Sequence, residues 1–167
     1  ANNNTLEIIK FLSKKVTNIN LENKKGHSAL TMAVKRNTKD VVQFLLDIGA
    51  NIDTKDADGN TLSYCLMNTF KTSEFEDKLS ILEKNGLVIN KPQYSKNTLL
   101  HIAAAQDNLA LLKRLNSFNI DVNAENKNQL SALQIAAMET KSILILEYLL
   151  SIGANKNIKT AFNETIY

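Results

Sequence analysis

Two short sequence marks return along the chain with one shared period, and that period constrains the fold more than any other feature. The phrase Asn51-Ile52-Asp53 recurs with drift as Asn18-Ile19-Asn20, Val88-Ile89-Asn90, Asp121-Val122-Asn123 and Lys156-Asn157, so its last position falls at 20, 53, 90, 123 and 157. A hydroxyl residue just after a Gly or polar pair falls at Ser28, Thr61, Thr98, Ser131 and Thr165. Both series advance by 33, 37, 33 and 34 residues. Two marks sharing one period, with the same excess in the second interval, describe a repeated unit of supersecondary structure. Units of this length bury their apolar faces only against their neighbours.

The excess can be placed. From each hydroxyl to the following Gly-like position the chain runs 28 to 49, 61 to 86, 98 to 119 and 131 to 153, distances of 21, 25, 21 and 22. Extra residues are therefore predicted between the two helices of the second unit, around Asn68 to Phe75, with one more near Thr140. Within the first unit, Ser28 suits the cap of a short helix whose inner face is Leu30, Ala33 and Val34. Val41, Val42, Leu45 and Leu46 then give a second helix at three-and-four spacing, which Gly49 ends by supplying the left-handed turn. Gly86 and Gly153 stand at the same place in their units, and Asn119, the next most tolerant residue of that conformation, stands there in the third.

These units resemble ankyrin repeats. The stretch Thr98-Leu99-Leu100-His101-Ile102-Ala103-Ala104 is similar to the family's Thr-Pro-Leu-His signature, and Leu45-Leu46-Asp47-Ile48-Gly49-Ala50-Asn51-Ile52-Asp53 to its second-helix ending. Ser28-Ala29-Leu30 and Ser131-Ala132-Leu133-Gln134-Ile135-Ala136-Ala137 are weaker versions. The signature Pro is missing from all of them, and Tyr64 with Leu66-Met67 makes the second repeat the irregular one. The resemblance implies an all-α solenoid of helix-turn-helix units, with hairpin-like loops set at a right angle to the helix stack. It covers nearly the whole chain as a single domain: a half repeat at 1–22, repeats at 23–55, 56–92 (insertion near 68–75), 93–125 and 126–159, and the opening of another at 160–167. Phe162, Ile166 and Tyr167 are not the residues of a polar terminal cap, so further chain, or packing of these residues over the last helices, is expected.

Composition excludes several function classes. No run of eighteen apolar residues and no apolar leader is present, so a soluble chain without membrane insertion is expected. One cysteine, Cys65, makes neither an internal disulfide nor a thiolate cage, so it leaves the redox compartment undetermined; localisation stays open, with the cytoplasm ahead of an exported form. The net charge of +3 is uneven: residues 1–55 carry nine Lys/Arg against five Asp/Glu, and residues 56–92 carry four against six. That is a bias toward an acidic partner at the N-terminal end and far less than phosphate-driven binding needs.

No phosphate loop, nucleophile elbow or paired acidic motif appears, so no enzyme and no cofactor or metal is expected. His101 falls where the resemblance implies a hydrogen-bonding role within the repeat. His27 and Cys65 are too few and too remote for zinc. Glu74, Glu76 and Asp77 read as a solvated helix start favoured by the helix dipole. Lys24, Lys25, His27, Lys35 and Arg36 cluster on one repeat, but no basic stripe continues from them and no aromatic residues interleave, so they favour a solvated basic face or an acidic protein partner over nucleic acid.

The resemblance implies a protein partner, bound by a monomer through a concave face of loop tips and the exposed side of each first helix; the alternatives are binding of RNA or another polyanion through the basic first repeat, and a structural spacer in a longer chain. Position by position, that face comprises Lys24, Lys25, His27, Lys35 and Arg36 in the first repeat, and Asp58 and Asn60 with Ala57, Asn68 and Thr69 in the second. The third offers Tyr94, Ser95, Asn97 and Gln106 with Ala105, and the fourth Lys127, Asn128, Leu130, Met138 and Glu139. Tyr94, Leu130 and Met138 are apolar at positions the repeat core does not require, as interface anchors are.

Overall fold

The structure is a computed structural model that describes residues 3–36, 38–56, 58–91, 96–139 and 142–157. Its secondary structure is helical, with no strand beyond a single antiparallel bridge between Lys55 and Thr61 among the described residues. The chain forms two compact units, Ala1–Val88 and Ile89–Tyr167.

The first unit holds α1 (Asn3–Ser13), α2 (Ala29–Arg36), α3 (Lys39–Asp47), α4 (Leu62–Met67) and α5 (Phe75–Lys84). None of these helices exceeds 11 residues, a length at which an isolated helix is marginal in water, so packing must supply their stability. It does so in register. Leu30, Ala33 and Val34 of α2 and Val41, Val42 and Leu45 of α3 are all buried, as the three-and-four spacing predicts, and α2 packs on both α3 and α4. In α5, Phe75, Leu79 and Leu82 form the equivalent stripe, with Lys78 among them.

The second unit holds α6 (Leu99–Ala105), α7 (Leu109–Leu115), α8 (Ala132–Glu139) and α9 (Ile143–Ser151), with α6 packed on α7 and α8. Ala103, Ala104, Ala132 and Ala136 are buried on the facing first helices, where small side chains let them approach.

Helix ends follow the expected chemistry. Gly49, Gly86 and Gly153 take φ of +89°, +92° and +97°, and Asn119 takes +53°. At Gly49 the Ala50 N–H donates to Leu45 O (2.9 Å) and the Gly49 N–H to Leu46 O (3.0 Å), the paired bonds that satisfy carbonyls left open at a helix end. The Asn at the last position of the recurring phrase ties one segment to the next at Asn20 and Asn123. Asn20 accepts from Asn51 N–H (2.7 Å) and donates to Gly49 O (3.3 Å), and Asn123 does the same for Asn155 (2.8 Å) and Gly153 (3.2 Å).

Between α4 and α5 lie residues 68–74, the neighbourhood in which extra residues were expected. Thr69 and Thr72 donate their hydroxyls to Leu66 O (2.7 Å) and Thr69 O (2.8 Å), making consecutive turns, and Phe70 meets Phe75 edge-on at 5.1 Å between centroids. The acidic group beside it departs from a purely solvated helix start. Glu74 accepts from Lys39 N–H (3.0 Å) and Asp77 pairs with Lys39 Nζ (2.7 Å), because the first turn of α3 leaves donors that carboxylates satisfy. Thr140, Phe162, Thr165, Ile166 and Tyr167 lie outside the described residues.

Candidate partner-binding surface

Each described loop tip is built on one Asn or Asp. In the first unit, Asn23 Oδ1 accepts from Lys25 N–H (2.8 Å) and His27 N–H (3.2 Å), while its own N–H donates to His27 O (3.0 Å). Asp56 repeats the arrangement with Asp58 N–H (3.1 Å), Asn60 N–H (2.9 Å) and Asn60 O (2.9 Å). In the second unit Asn126 does so with Asn128 N–H (2.9 Å), Leu130 N–H (3.2 Å) and Leu130 O (3.0 Å). Gly26, Gly59 and Gln129 turn the chain back with φ of +67°, +75° and +59°. A short polar side chain that accepts from amides two and four residues ahead closes a tight turn without help from the tip residues. Lys24, Lys25 and Asp58 in the first unit, and Lys127 and Asn128 in the second, are left exposed.

Asp56 carries a second load. Its Oδ2 accepts from Lys35 Nζ at 2.8 Å and lies 3.7 Å from the Cys65 thiol, with its side chain 1% exposed. Burial alone would raise its pKa, but the bonds from Lys35 and Asn60 outweigh that and hold it below the usual carboxylate value. Lys35 is pushed the other way: burial works to lower its pKa, and the Asp56 bond prevails and raises it. The Cys65 thiol is pushed up to about 12, chiefly by burial, so it stays protonated and unreactive.

The expected contact residues fall into three groups. Lys24, Lys25, Arg36, Asp58, Gln106, Lys127, Asn128, Met138 and Glu139 are exposed, Met138 at 70%, as is Ala105. Others are engaged inside the fold: Lys35 and Asn60 on Asp56, Asn97 as acceptor for Asn126 Nδ2 (2.9 Å), and Leu130 through its main chain. His27 is half-buried, and its Nδ1 is the one buried side-chain polar atom without a hydrogen bond among the described residues. Thr69 is buried, its hydroxyl spent on the Leu66 carbonyl, whereas Asn68 is exposed. Ala57, Tyr94 and Ser95 lie outside the described residues. Sequence reasoning missed the Asn23, Asp56 and Asn126 scaffold, although its signal, an Asn or Asp five residues before the hydroxyl mark, is plain in the chain.

His101 is structural. Thr98 N–H donates to its Nδ1 (3.1 Å) and its Nε2 lies 2.9 Å from Leu130 O, an arrangement that places the proton on Nε2. Burial lowers its pKa, against the raising effect of the Leu130 and Ala124 carbonyls. Among the described residues no group of three or more His, Cys, Asp or Glu is placed to hold a metal, and no helix is long and apolar enough to cross a membrane.

Comparison with known proteins agrees with this architecture. The sequence profile described as ankyrin repeats (3 copies) matches residues 1–75 and 74–160. The chain is 27% identical over 97% of its length to alpha-latroinsectotoxin-Lt1a of Latrodectus tredecimguttatus, of which it covers 11%. It is 29% identical over 80% of its length to ankyrin repeat protein FPV031 of fowlpox virus, covering 39% of that protein. It is also 33% identical over 65% of its length to the nuclear factor NF-kappa-B p105 subunit of Rattus norvegicus, covering 11%. The chain thus spans a minor part of each of these relatives.

Proposed function

The chain belongs to the ankyrin-repeat family, and from that membership we propose that it is a non-enzymatic module that binds another protein through its loop tips and the exposed side of its first helices. Ankyrin repeats are in general protein-protein interaction modules, and fold alone does not choose the partner. The observation that carries the reading is the division of labour at the tips. Asn23, Asp56 and Asn126 hold the loop backbones, while Lys24, Lys25, Asp58 and Asn128 project beside them with no partner of their own among the described residues. Lys127 is exposed at the same tip as Asn128. A loop backbone already fixed before binding has little entropy left to lose, which favours affinity. Met138, exposed at the end of α8, adds an apolar contact to the polar set of the second unit.

The test is capture of a partner by the immobilised chain from a lysate of its source organism, with Lys25→Glu and Met138→Ser variants beside the wild type. A protein held by the wild type, released by the variants, and crosslinked by a photoreactive residue at position 25 or 128 supports the reading. A captured protein indifferent to both changes and crosslinked elsewhere overturns it.

A further inference from the structure

The segment 68–74 and the end of α2 enclose a polar cleft of about 310 Å³ whose lining includes Arg36, Thr72, Ser73, Glu74 and Lys78. Lys78 is the unusual member. It sits on the buried stripe of α5 between Phe75 and Leu79 and is only 4% exposed. Its ammonium carries three donors, yet makes one long hydrogen bond, to Val34 O at 3.3 Å. A buried charge is costly unless an opposite charge and further hydrogen bonds compensate it.

Among the described residues that compensation is incomplete. Glu74 is within electrostatic reach but forms no ion pair with Lys78, and its Oε2 is committed to the Lys39 N–H at 3.0 Å. Arg36 is exposed, and neither it nor the Ser73 hydroxyl has a partner among the described residues. The remaining basic residue at the wall, Lys35, is neutralised by Asp56. The open groups are therefore two cations and a hydroxyl set against one carboxylate that is already engaged. A guanidinium, an ammonium and a hydroxyl around one small volume is the donor set that recognises an oxyanion. The wall is also built: Glu74 and Asp77 fasten it to Lys39, and Phe70 packs on Phe75 behind it.

We infer that this cleft receives an oxyanion on a partner's side chain, a phosphoserine phosphate or an Asp/Glu carboxylate, between Arg36 at its exposed side and Lys78 at its buried side. This rests on the protein-binding reading above and names the chemistry of one contact. The desolvation that burial imposes on Lys78 holds its pKa below the usual lysine value, and an arriving anion acts in the opposite direction.

The experiment is an amide-resolved NMR titration of the full chain at constant ionic strength. The probes are inorganic phosphate, acetate, and two peptide pools with degenerate flanks around a central phosphoserine or glutamate. Saturable shifts are expected at Thr72, Ser73 and Lys78, weakened about tenfold or more by Arg36→Gln and by Lys78→Met. Lys84→Gln, the same charge change elsewhere on α5, leaves them intact. A stronger response to phosphate and the phosphoserine pool assigns a phosphorylated partner; an equal or stronger response to acetate and the glutamate pool assigns an acidic one. If no probe gives a saturable shift, or if the shifts survive Arg36→Gln, which is exposed and leaves the fold intact, the inference fails. A lysate partner held equally by wild type, Arg36→Gln and Lys78→Met overturns the cleft while leaving the module reading standing. Phosphate shifts lost in the variants with no partner captured do the reverse.

Discussion

Lys35 on α2 donates to Asp56 across 2.8 Å, joining that helix to the next loop tip through the same carboxylate that shapes the tip. The pair is thus two devices in one residue, and substitution can separate them. Asp56→Asn keeps an oxygen for the Asp58 and Asn60 amides, as Asn23 and Asn126 do at their own tips, and loses the charge together with the second acceptor oxygen that meets Lys35 Nζ and Asn60 Nδ2. It is expected to cost about 1 kcal/mol in urea unfolding, whereas Asp56→Ala, which also strands buried amides, costs about 2–4 kcal/mol. Equal costs would contradict this division. Because the folded pKa of Asp56 is depressed, its contribution is full above the ordinary carboxylate value near 4 and is lost as pH falls below it. Asp56→Asn removes that part of the acid sensitivity.

The His101 imidazole predicts a second pH dependence. Its folded pKa lies below 6.5, so the unfolded chain takes up the proton first and stability declines as pH falls through 6.5. Gln134 already does the neighbouring version of this job, accepting from Ser131 N–H at 2.7 Å. In His101→Gln the capping contact to Thr98 is retained, the tie to Leu130 is lost, and melting temperature flattens between pH 5 and 8 relative to wild type. The substitution costs about 1–2 kcal/mol at neutral pH. An unchanged pH profile in the variant would show that His101 is not the titrating group.

Cys65 is expected to resist thiol reagents in the folded chain. With the thiol fully buried and its pKa near 12, alkylation by iodoacetamide at pH 8 should follow the unfolded fraction across a urea series. Rapid labelling in buffer would contradict the burial. The sign for stability is opposite to that of His101: the protonated thiol favours the fold, and this contribution is lost as pH rises from the unfolded value of about 9 toward 12.

The helix-ending residues give a paired prediction. Gly86→Ala meets no steric neighbour but must hold φ at +92°, and should cost about 1 kcal/mol or more. Asn119→Gly, at φ +53°, should stabilise by a few tenths of a kcal/mol up to about 1 kcal/mol. Thermal unfolding of the two variants decides it, since a shift of the same sign in both would exclude the left-handed turn as the cause.

Most of the helical framework was legible in the sequence because it rests on local rules. Apolar residues at three-and-four spacing put Val41, Val42 and Leu45 in the core, and a Gly or Asn after each second helix took the left-handed turn. The exposure of the proposed contact residues was legible only in part. Lys24, Lys25, Arg36 and Met138 stand exposed as expected, but Lys35 and Asn97 are engaged by Asp56 and Asn126, residues 21 and 29 positions away. Pairings at that separation depend on how neighbouring segments stack, which periodicity does not report. Lys78 is the sharpest case: in a stripe of Phe75, Leu79 and Leu82 it interrupts the apolar pattern, and only the segment folded beside it gives the interruption a meaning.

The loop tips have one more consequence. Since Asn23, Asp56 and Asn126 close their turns through backbone amides, the identities of residues 24, 25, 58 and 128 are nearly invisible to folding stability. Heredity is then free to rewrite them. A lineage carrying this chain could drift from one target to another through single codon changes at the tips, passing through no intermediate that fails to fold, whereas loss of the accepting oxygen at an anchoring position would be purged before any new target could select it.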